Sequence, residues 1–337
     1  MKNSRNSHLL SSLPRFLEAA KVSRITQRNE IINFSIAGKT ISIFAPSERT
    51  FTKILGSAFC INEEKVESDI DLVIVESQDT EFMELLNSED SDGNLLFREY
   101  SNEQFVVIDR SWNAIYFLDR SSRLGGVWAA DFGKVSLASF ITPLRALLSL
   151  CIEEQGAELV HAAGIEIDKK GVMLTGPSGS GKSTLALYAA LNGHGILGDD
   201  AVLVHDGKMK AIYKNAKIEK REKILNVDRH RRISLNGSGI TKDILPLVDN
   251  KFNFIIESDL RAVVLPFVGN ETQWKRMKKL EAIKEFMPQT TKELLGGTNQ
   301  NIKNLLAIVN NFPFFTLELS EDLAKNLSAL KSIAEEV

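Results

Sequence analysis

The stretch Gly171-Val172-Met173-Leu174-Thr175-Gly176-Pro177-Ser178-Gly179-Ser180-Gly181-Lys182-Ser183-Thr184 decides how this chain is read. Val172 to Leu174 is a short apolar run with the character of a buried strand. Gly176 to Ser183 follows it and matches the pattern G-x-x-x-x-G-K-S/T at every fixed position. Thr184 to Leu191 then reads as helix, up to Gly193. Glycines at these places let the backbone turn its N–H groups inward around phosphate oxygens, and the helix amino terminus adds partial positive charge. Gly176, Ser178, Gly179, Ser180, Gly181, Lys182, Ser183 and Thr184 are therefore the candidate nucleotide-binding residues. Lys182 would bridge the β- and γ-phosphates and Ser183 would hold Mg²⁺ through its hydroxyl, so ATP and Mg²⁺ are the expected cofactors.

What such a loop does next depends on acids and bases near it. Ile196-Leu197 leads into Asp199-Asp200, at the end of the strand that follows the loop's helix. In a parallel-type layout that end lies beside the triphosphate. One carboxylate, Asp199 or Asp200, can hold the metal and the other can accept a proton from an attacking hydroxyl. Adjacent strand residues point to opposite faces, so only one faces the metal unless the backbone kinks there. His161 lies 15 residues before Gly176, on the strand expected beside the loop's strand. It is a core histidine or a ligand of the γ-phosphate or of an active-site carboxylate, and the pattern alone does not choose.

Outward from this core the chain is ordinary. It has 337 residues, 43% hydrophobic and 25% charged, with 41 Lys+Arg against 44 Asp+Glu for a net charge of -3. That balance opposes a nucleic-acid-coating role, which needs a basic excess. The two cysteines, Cys60 and Cys151, form no C-x-x-C pair, which fits a reducing cytoplasm. The first residues lack an export signal's apolar core, and Val135 to Ile152 is interrupted by Arg145 and serines, so no membrane segment is expected. Residues 1–133 read as a smaller β-rich domain: a hairpin over Ile32 to Ile43, a helix from Ser47, a strand over Ile70 to Val75 and a meander from Leu95 to Leu118. An amphipathic linking helix at about 136–154 opens the second domain, 134–337. Beyond the loop come an Asp206-Gly207 hairpin turn, a strand over Ala262 to Phe267, helices over Lys278 to Leu295 and Ile302 to Val309, a strand over Phe314 to Leu319 and a closing helix.

His161-Ala162-Ala163-Gly164, the loop, Asn192-Gly193-His194-Gly195 and Leu197-Gly198-Asp199-Asp200 together resemble the catalytic core of HPr kinase/phosphorylase, over about residues 158–205. More distantly, the loop followed by paired aspartates is similar to phosphoenolpyruvate carboxykinase. The resemblance implies an α/β (α+β) fold, with a P-loop kinase core of that type preceded by the β-rich domain. It implies Lys182 and Ser183 as phosphate and metal ligands, Asp199 and Asp200 as the metal-binding and proton-accepting pair, and His161 near the transferred phosphate. It makes His194 structural. It also implies a protein or peptide acceptor bearing a Ser/Thr hydroxyl, and leaves room for a homo-oligomer. Thr184 stands where the bifunctional enzymes place an acidic residue, and no Glu-Val-Arg-Gly signature follows Asp206. The pattern is closer to HPr-kinase-like proteins outside sugar regulation, some of which act on serines of small modified peptides such as lasso peptides.

Between Lys210 and Arg232 nine basic residues stand against three acidic ones. One of them is a candidate for neutralising charge in phosphoryl transfer, with Lys214, Lys217 and Arg221 nearest the core in sequence and Arg261 an equal candidate. The sequence supports a kinase for a protein or peptide hydroxyl first. A small-molecule kinase and a non-catalytic nucleotide-binding switch are the alternatives.

Overall fold

A computed structural model describes residues 7–26, 31–45, 59, 67–87, 96–101, 103–109, 113–132, 142–219, 233–234, 242–248, 251–293 and 298–337. The helix expected from Ser47 and the first part of the linking helix lie outside these residues. Contacts divide the chain into two units, Met1–Ser57 with Ile61–Ile152 and Ala58–Cys60 with Glu153–Val337. The architecture is mixed α/β.

The first unit contains α1 (Ser7–Thr26), β1 (Ile31–Ile36), β2 (Lys39–Phe44), β3 (Ile70–Glu76), α2 (Thr80–Asn87), β4 (Leu96–Tyr100), β5 (Gln104–Asp109), β6 (Ala114–Asp119), β7 (Leu124–Ala129) and α3 (Arg145–Ile152). The β1–β2 hairpin closes through Ala37 and Gly38, at φ 51° and 77°, a left-handed pair that suits the strand twist. The seven strands run β1-β2-β3-β7-β6-β5-β4, parallel only at β2–β3 and β3–β7. Helix α1 lays Leu13, Phe16 and Ala20 on a core of Val73, Ile115, Phe117 and Trp128, and Phe16 stacks on Phe82 at 4.2 Å. Trp128 is a core anchor, and its indole N–H donates to the Ser77 hydroxyl at 2.8 Å.

The second unit opens with a 3₁₀ turn at Glu153–Gln155, then β8 (Glu158–Val160), β9 (Ala162–Ile167), β10 (Lys170–Thr175), α4 (Lys182–Leu191), β11 (Gly195–Gly198), β12 (Val202–His205), β13 (Lys208–Lys210) and β14 (Asn215–Glu219). It continues with β15 (Ile233–Ser234), β16 (Lys242–Pro246), β17 (Asn253–Phe254), β18 (Glu257–Val268), β19 (Gln273–Arg276), α5 (Lys279–Glu293), α6 (Asn299–Asn311), β20 (Phe314–Leu319) and α7 (Leu323–Glu336). Its main sheet has the order β17-β11-β9-β10-β18-β13-β12-β8, with β20 on β18 and β19 on β20. Phe59 joins this unit through an isolated bridge to Tyr213.

The sheet is mixed rather than parallel throughout. β10, β18 and β20 run parallel, while β9 is antiparallel to both β10 and β11. Two antiparallel steps restore direction, so β11 points the same way as β10 and both end at one edge. The apolar run Leu159 to Ile167 is not one strand. It breaks at His161, and its first part, β8, pairs with β12 while the rest pairs with β10. The two faces of the central strands are buried by different helices. Val172, Leu174, Ala262 and Val264 meet α4 and α7, whereas Met173, Val263 and Leu265 meet α5 and α6. No helix among the described residues is long and apolar enough to cross a membrane.

Gly126 sits where β7 passes β3, and a Cβ there would come 2.1 Å from the Val73 carbonyl oxygen. Backbone cannot yield as a side-chain tip can, so Gly126→Ala should destabilise the first unit by about 1–3 kcal/mol or more, read from chemical denaturation.

Candidate functional site

Strand order builds the site before any side chain is considered. Thr175 at the end of β10 pairs with Ala162 at the start of β9, which places His161 beside Gly176. Gly198 at the end of β11 lies across from Gly164 on the other side of β9. His161, the glycine-rich loop and the Asp199-Asp200 pair therefore meet at one edge of the sheet.

The loop needs its glycines. Gly176, Gly179 and Gly181 have φ of 149°, 82° and 94°, and Gly181 is the left-handed N-cap of α4. The Ser180 N–H donates to the Pro177 carbonyl at 3.3 Å, closing the turn. The Ser180 hydroxyl is buried and makes no hydrogen bond among the described residues. The Lys182 ammonium, also buried, curls over the loop and donates to the carbonyls of Gly176 and Pro177 at 2.7 and 2.9 Å. At its far end α4 stops in a Schellman arrangement: His194 N–H donates to Ala189 O, Gly193 N–H to Ala190 O, and Gly193 has φ 87°. His194 is thus a residue of the helix-to-strand turn.

Asp199 is 1% exposed. It accepts from the Ser183 hydroxyl at 2.8 Å and from the Lys217 backbone N–H at 3.0 Å. Burial pushes its pKa above the ordinary carboxylate value and the neighbouring Asp200 charge pushes the same way, while the Lys217 N–H, the Ser183 hydroxyl and the Lys217 charge pull against them. Asp200 adopts φ 75°, left-handed for a residue with a side chain. That kink releases the pair from strand alternation, so both carboxylates reach the same space. Asp200 Oδ1 lies 3.7 Å from His161 Nδ1 and Oδ2 lies 3.6 Å from Lys217 Nζ, and the His161 ring nitrogen is 3.0 Å from the Asp200 carbonyl. The Thr175 hydroxyl donates to His161 O at 3.1 Å, holding the corner between β8 and β9.

The structure brings together His161, Lys182, Ser183, Asp199 and Asp200. It adds Lys217, one of many lysines in a basic stretch, because β14 carries it back against α4 and the aspartate pair. It separates Arg261, which pairs with Asp259 at 3.0 Å near the start of β18. That strand is parallel to β10, so Arg261 lies at the end of the sheet away from the loop. Lys210 pairs with Glu257 at 3.0 Å, and the side chains of Lys220, Arg221, Lys223, Arg229, Arg231 and Arg232 lie outside the described residues. Among those residues no group of three or more His, Cys, Asp and Glu could hold a metal. A nucleotide-bound ion needs fewer protein ligands, and the contacting oxygens of Ser183 and Asp199 fit one. The turned-in loop, its open left-handed Gly179 and the unpartnered Ser180 hydroxyl fit phosphate oxygens.

Ser183→Ala would leave one oxygen of a buried carboxylate without its donor. The apo protein should lose about 1–3 kcal/mol in denaturant titration, whereas Ser183→Thr, which keeps the hydroxyl, should lose less.

No protein-family profile matches the chain. The HPr kinase/phosphorylase of Polaromonas naphthalenivorans is 43% identical over 67 residues, 20% of this chain and 21% of that protein. That of Burkholderia lata is 41% identical over 68 residues, 20% of each chain, and that of Pelodictyon phaeoclathratiforme 42% identical over 57 residues, 17% of each. The chain spans about a fifth of the length of these curated relatives. The solved Hpr(Ser) kinase/phosphatase from Coxiella burnetii aligns with 53% of this chain and 99% of its own, at 13% identity and a TM-score of 0.27. Over roughly a fifth of its length, then, this chain is similar in sequence to the HPr kinase/phosphorylases.

Proposed function

We propose that this protein is a phosphotransferase that moves the γ-phosphoryl group of ATP, with Mg²⁺, to a serine or threonine hydroxyl of a protein or peptide. The observation that carries the reading is the convergence of a complete phosphate loop with a buried and a semi-buried aspartate at one sheet edge. In this reading backbone N–H groups between Ser178 and Ser183 and the Thr184 hydroxyl face the phosphates, and the Lys182 ammonium neutralises their charge. Ser183 and Asp199 hold the Mg²⁺. The bound Mg²⁺ supplies charge neutralisation across the phosphates of the donor.

Asp199 and Asp200 then have separate work. Asp199, enclosed and held by two donors, is suited to a fixed ligand. Asp200, with 17% of its side chain exposed, is suited to take the proton of an incoming hydroxyl. As that proton passes to Asp200, the acceptor oxygen forms its bond to the γ-phosphorus and the bond to the ADP oxygen breaks. His161 and Lys217 keep the Asp200 carboxylate oriented. The relatives' names speak of HPr, which supports a protein or peptide acceptor over a small molecule. A cytoplasmic location belongs to the same reading.

The test is to incubate wild type, Lys182→Ala and Asp200→Asn with γ-labelled ATP, Mg²⁺ and host extract, and to separate the label by chemical class. Label should appear on a Ser/Thr-bearing protein or peptide with wild type only, and Asp200→Asn should cost about 10²–10⁴-fold in rate. Mg-ATP at a hundredfold excess over its dissociation constant should stabilise wild type by about 2.7 kcal/mol. Label found only as free phosphate would overturn the kinase reading.

A further inference from the structure

We infer that the Lys217 ammonium, beyond orienting Asp200, is the cation that meets the charge on the transferred phosphoryl group from the acceptor's side. The inference rests on the phosphotransferase reading above and adds the residue that completes its chemistry. A phosphoryl group in transfer spreads negative charge over three equatorial oxygens, with the attacking and leaving oxygens in line on either side. Lys182 belongs to the leaving side, buried in the loop and held by the carbonyls of Gly176 and Pro177. A second cation gains most where it is fixed in advance and partly withdrawn from water.

The backbone of Lys217 is fixed at the site independently of its side chain. β14 pairs with β16 in antiparallel register, Asn215 to Pro246 through Glu219 to Lys242, and the Leu247 N–H donates to the Lys214 carbonyl at 2.7 Å. Alternate residues of such a strand turn their N–H groups away from the partner, and Lys217 is one of them. Its N–H donates to Asp199 Oδ2 at 3.0 Å, while Asp199 Oδ1 accepts from the Ser183 hydroxyl at 2.8 Å. From this anchor the ammonium stands 3.6 Å from Asp200 Oδ2, and the two side chains are 21% and 17% exposed, on the side an acceptor can enter. A hydroxyl that gives its proton to Asp200 lies about 2.6–3.2 Å from that carboxylate. The same oxygen lies about 3–3.5 Å from the phosphorus. An ammonium on a flexible four-carbon stem beside Asp200 is therefore within a small swing of the phosphoryl oxygens. Lys208 and Lys210 are engaged with Glu257, and Arg261 with Asp259, at the other end of the sheet.

The experiment is calorimetric titration of ADP with Mg²⁺, alone and with fluoroaluminate as a planar mimic of the phosphoryl group in transfer. The proteins are wild type, Lys217→Met, Lys217→Arg, Asp200→Asn and the double variant Lys217→Met with Asp200→Asn. Lys217→Met keeps the backbone N–H that Asp199 accepts and removes the charge alone, whereas Lys217→Arg keeps the charge. Wild type should bind the fluoroaluminate complex about a hundredfold or more tighter than ADP. Lys217→Met should lose that gain with ADP binding unchanged, and Lys217→Arg should keep at least part of it. Lys217→Met should also cost further binding in the Asp200→Asn background, since a lysine acting only through Asp200 would add nothing there. A gain that survives in Lys217→Met, an equal loss of ADP, or no further loss in the double variant overturns the inference. Failure of the phosphotransferase reading shows itself separately, as wild type that gains nothing from fluoroaluminate and labels no protein or peptide.

Discussion

The hydrogen bond from the Ser183 hydroxyl to the Asp199 carboxylate joins the first turn of α4 to the end of β11. A carboxylate 1% exposed is costly to ionise unless donors replace the water it has lost. Ser183 supplies one donor and the Lys217 backbone N–H the other, so the strand that follows the helix and the small sheet carrying β14 are both drawn to the loop. The bond forms only because β10 and β11 end at the same edge, and that in turn requires the antiparallel β9 between them. Local polar satisfaction and sheet direction thus support one another.

The left-handed turn at Asp200 has a related consequence. With φ at 75°, the backbone presents two successive carboxylates to one space and gives them unlike surroundings. Asp199 is enclosed, with its pKa raised by burial. Asp200 stays partly open, between the His161 ring and the Lys217 ammonium. Two like charges side by side are tolerable because a lysine bridges them, by its backbone to one and its side chain to the other. A non-glycine residue in this conformation costs roughly a kilocalorie or more, and such strain is found where geometry serves chemistry.

Position along the sheet also divides the molecule's surface by task. The carboxyl edge of β10, β18 and β20 carries the loop and the exposed Phe267, and the loops beyond it are stiffened by Glu318 and Asn326. The opposite end carries ordinary surface pairs such as Arg261–Asp259 and Lys208 with Lys210 on Glu257. A positive charge there lies too far along the strands to reach the loop at the other edge, whatever its spacing in the chain.

Features set by near neighbours were legible in the amino-acid order. The loop, the helix that follows it, the Gly193 stop, the Asp206-Gly207 turn and the hairpin at Gly38 each depend on a few adjacent residues whose φ, size or hydrogen-bonding capacity restricts the backbone. The adjacency of Asp199 and Asp200 was visible for the same reason. What tertiary structure decided depends on contacts between residues far apart in the chain. The break at His161 is hidden in a mostly apolar run, because both halves are buried and only their different partners, β12 and β10, part them. Lys217 was one cation among many until β14 returned it to the aspartates. Phe267 continues a strand whose earlier residues are core, and only the end of the sheet leaves it exposed. Backbone restriction is a local property, whereas burial, strand direction and the meeting of charges arise only when the sheet is assembled.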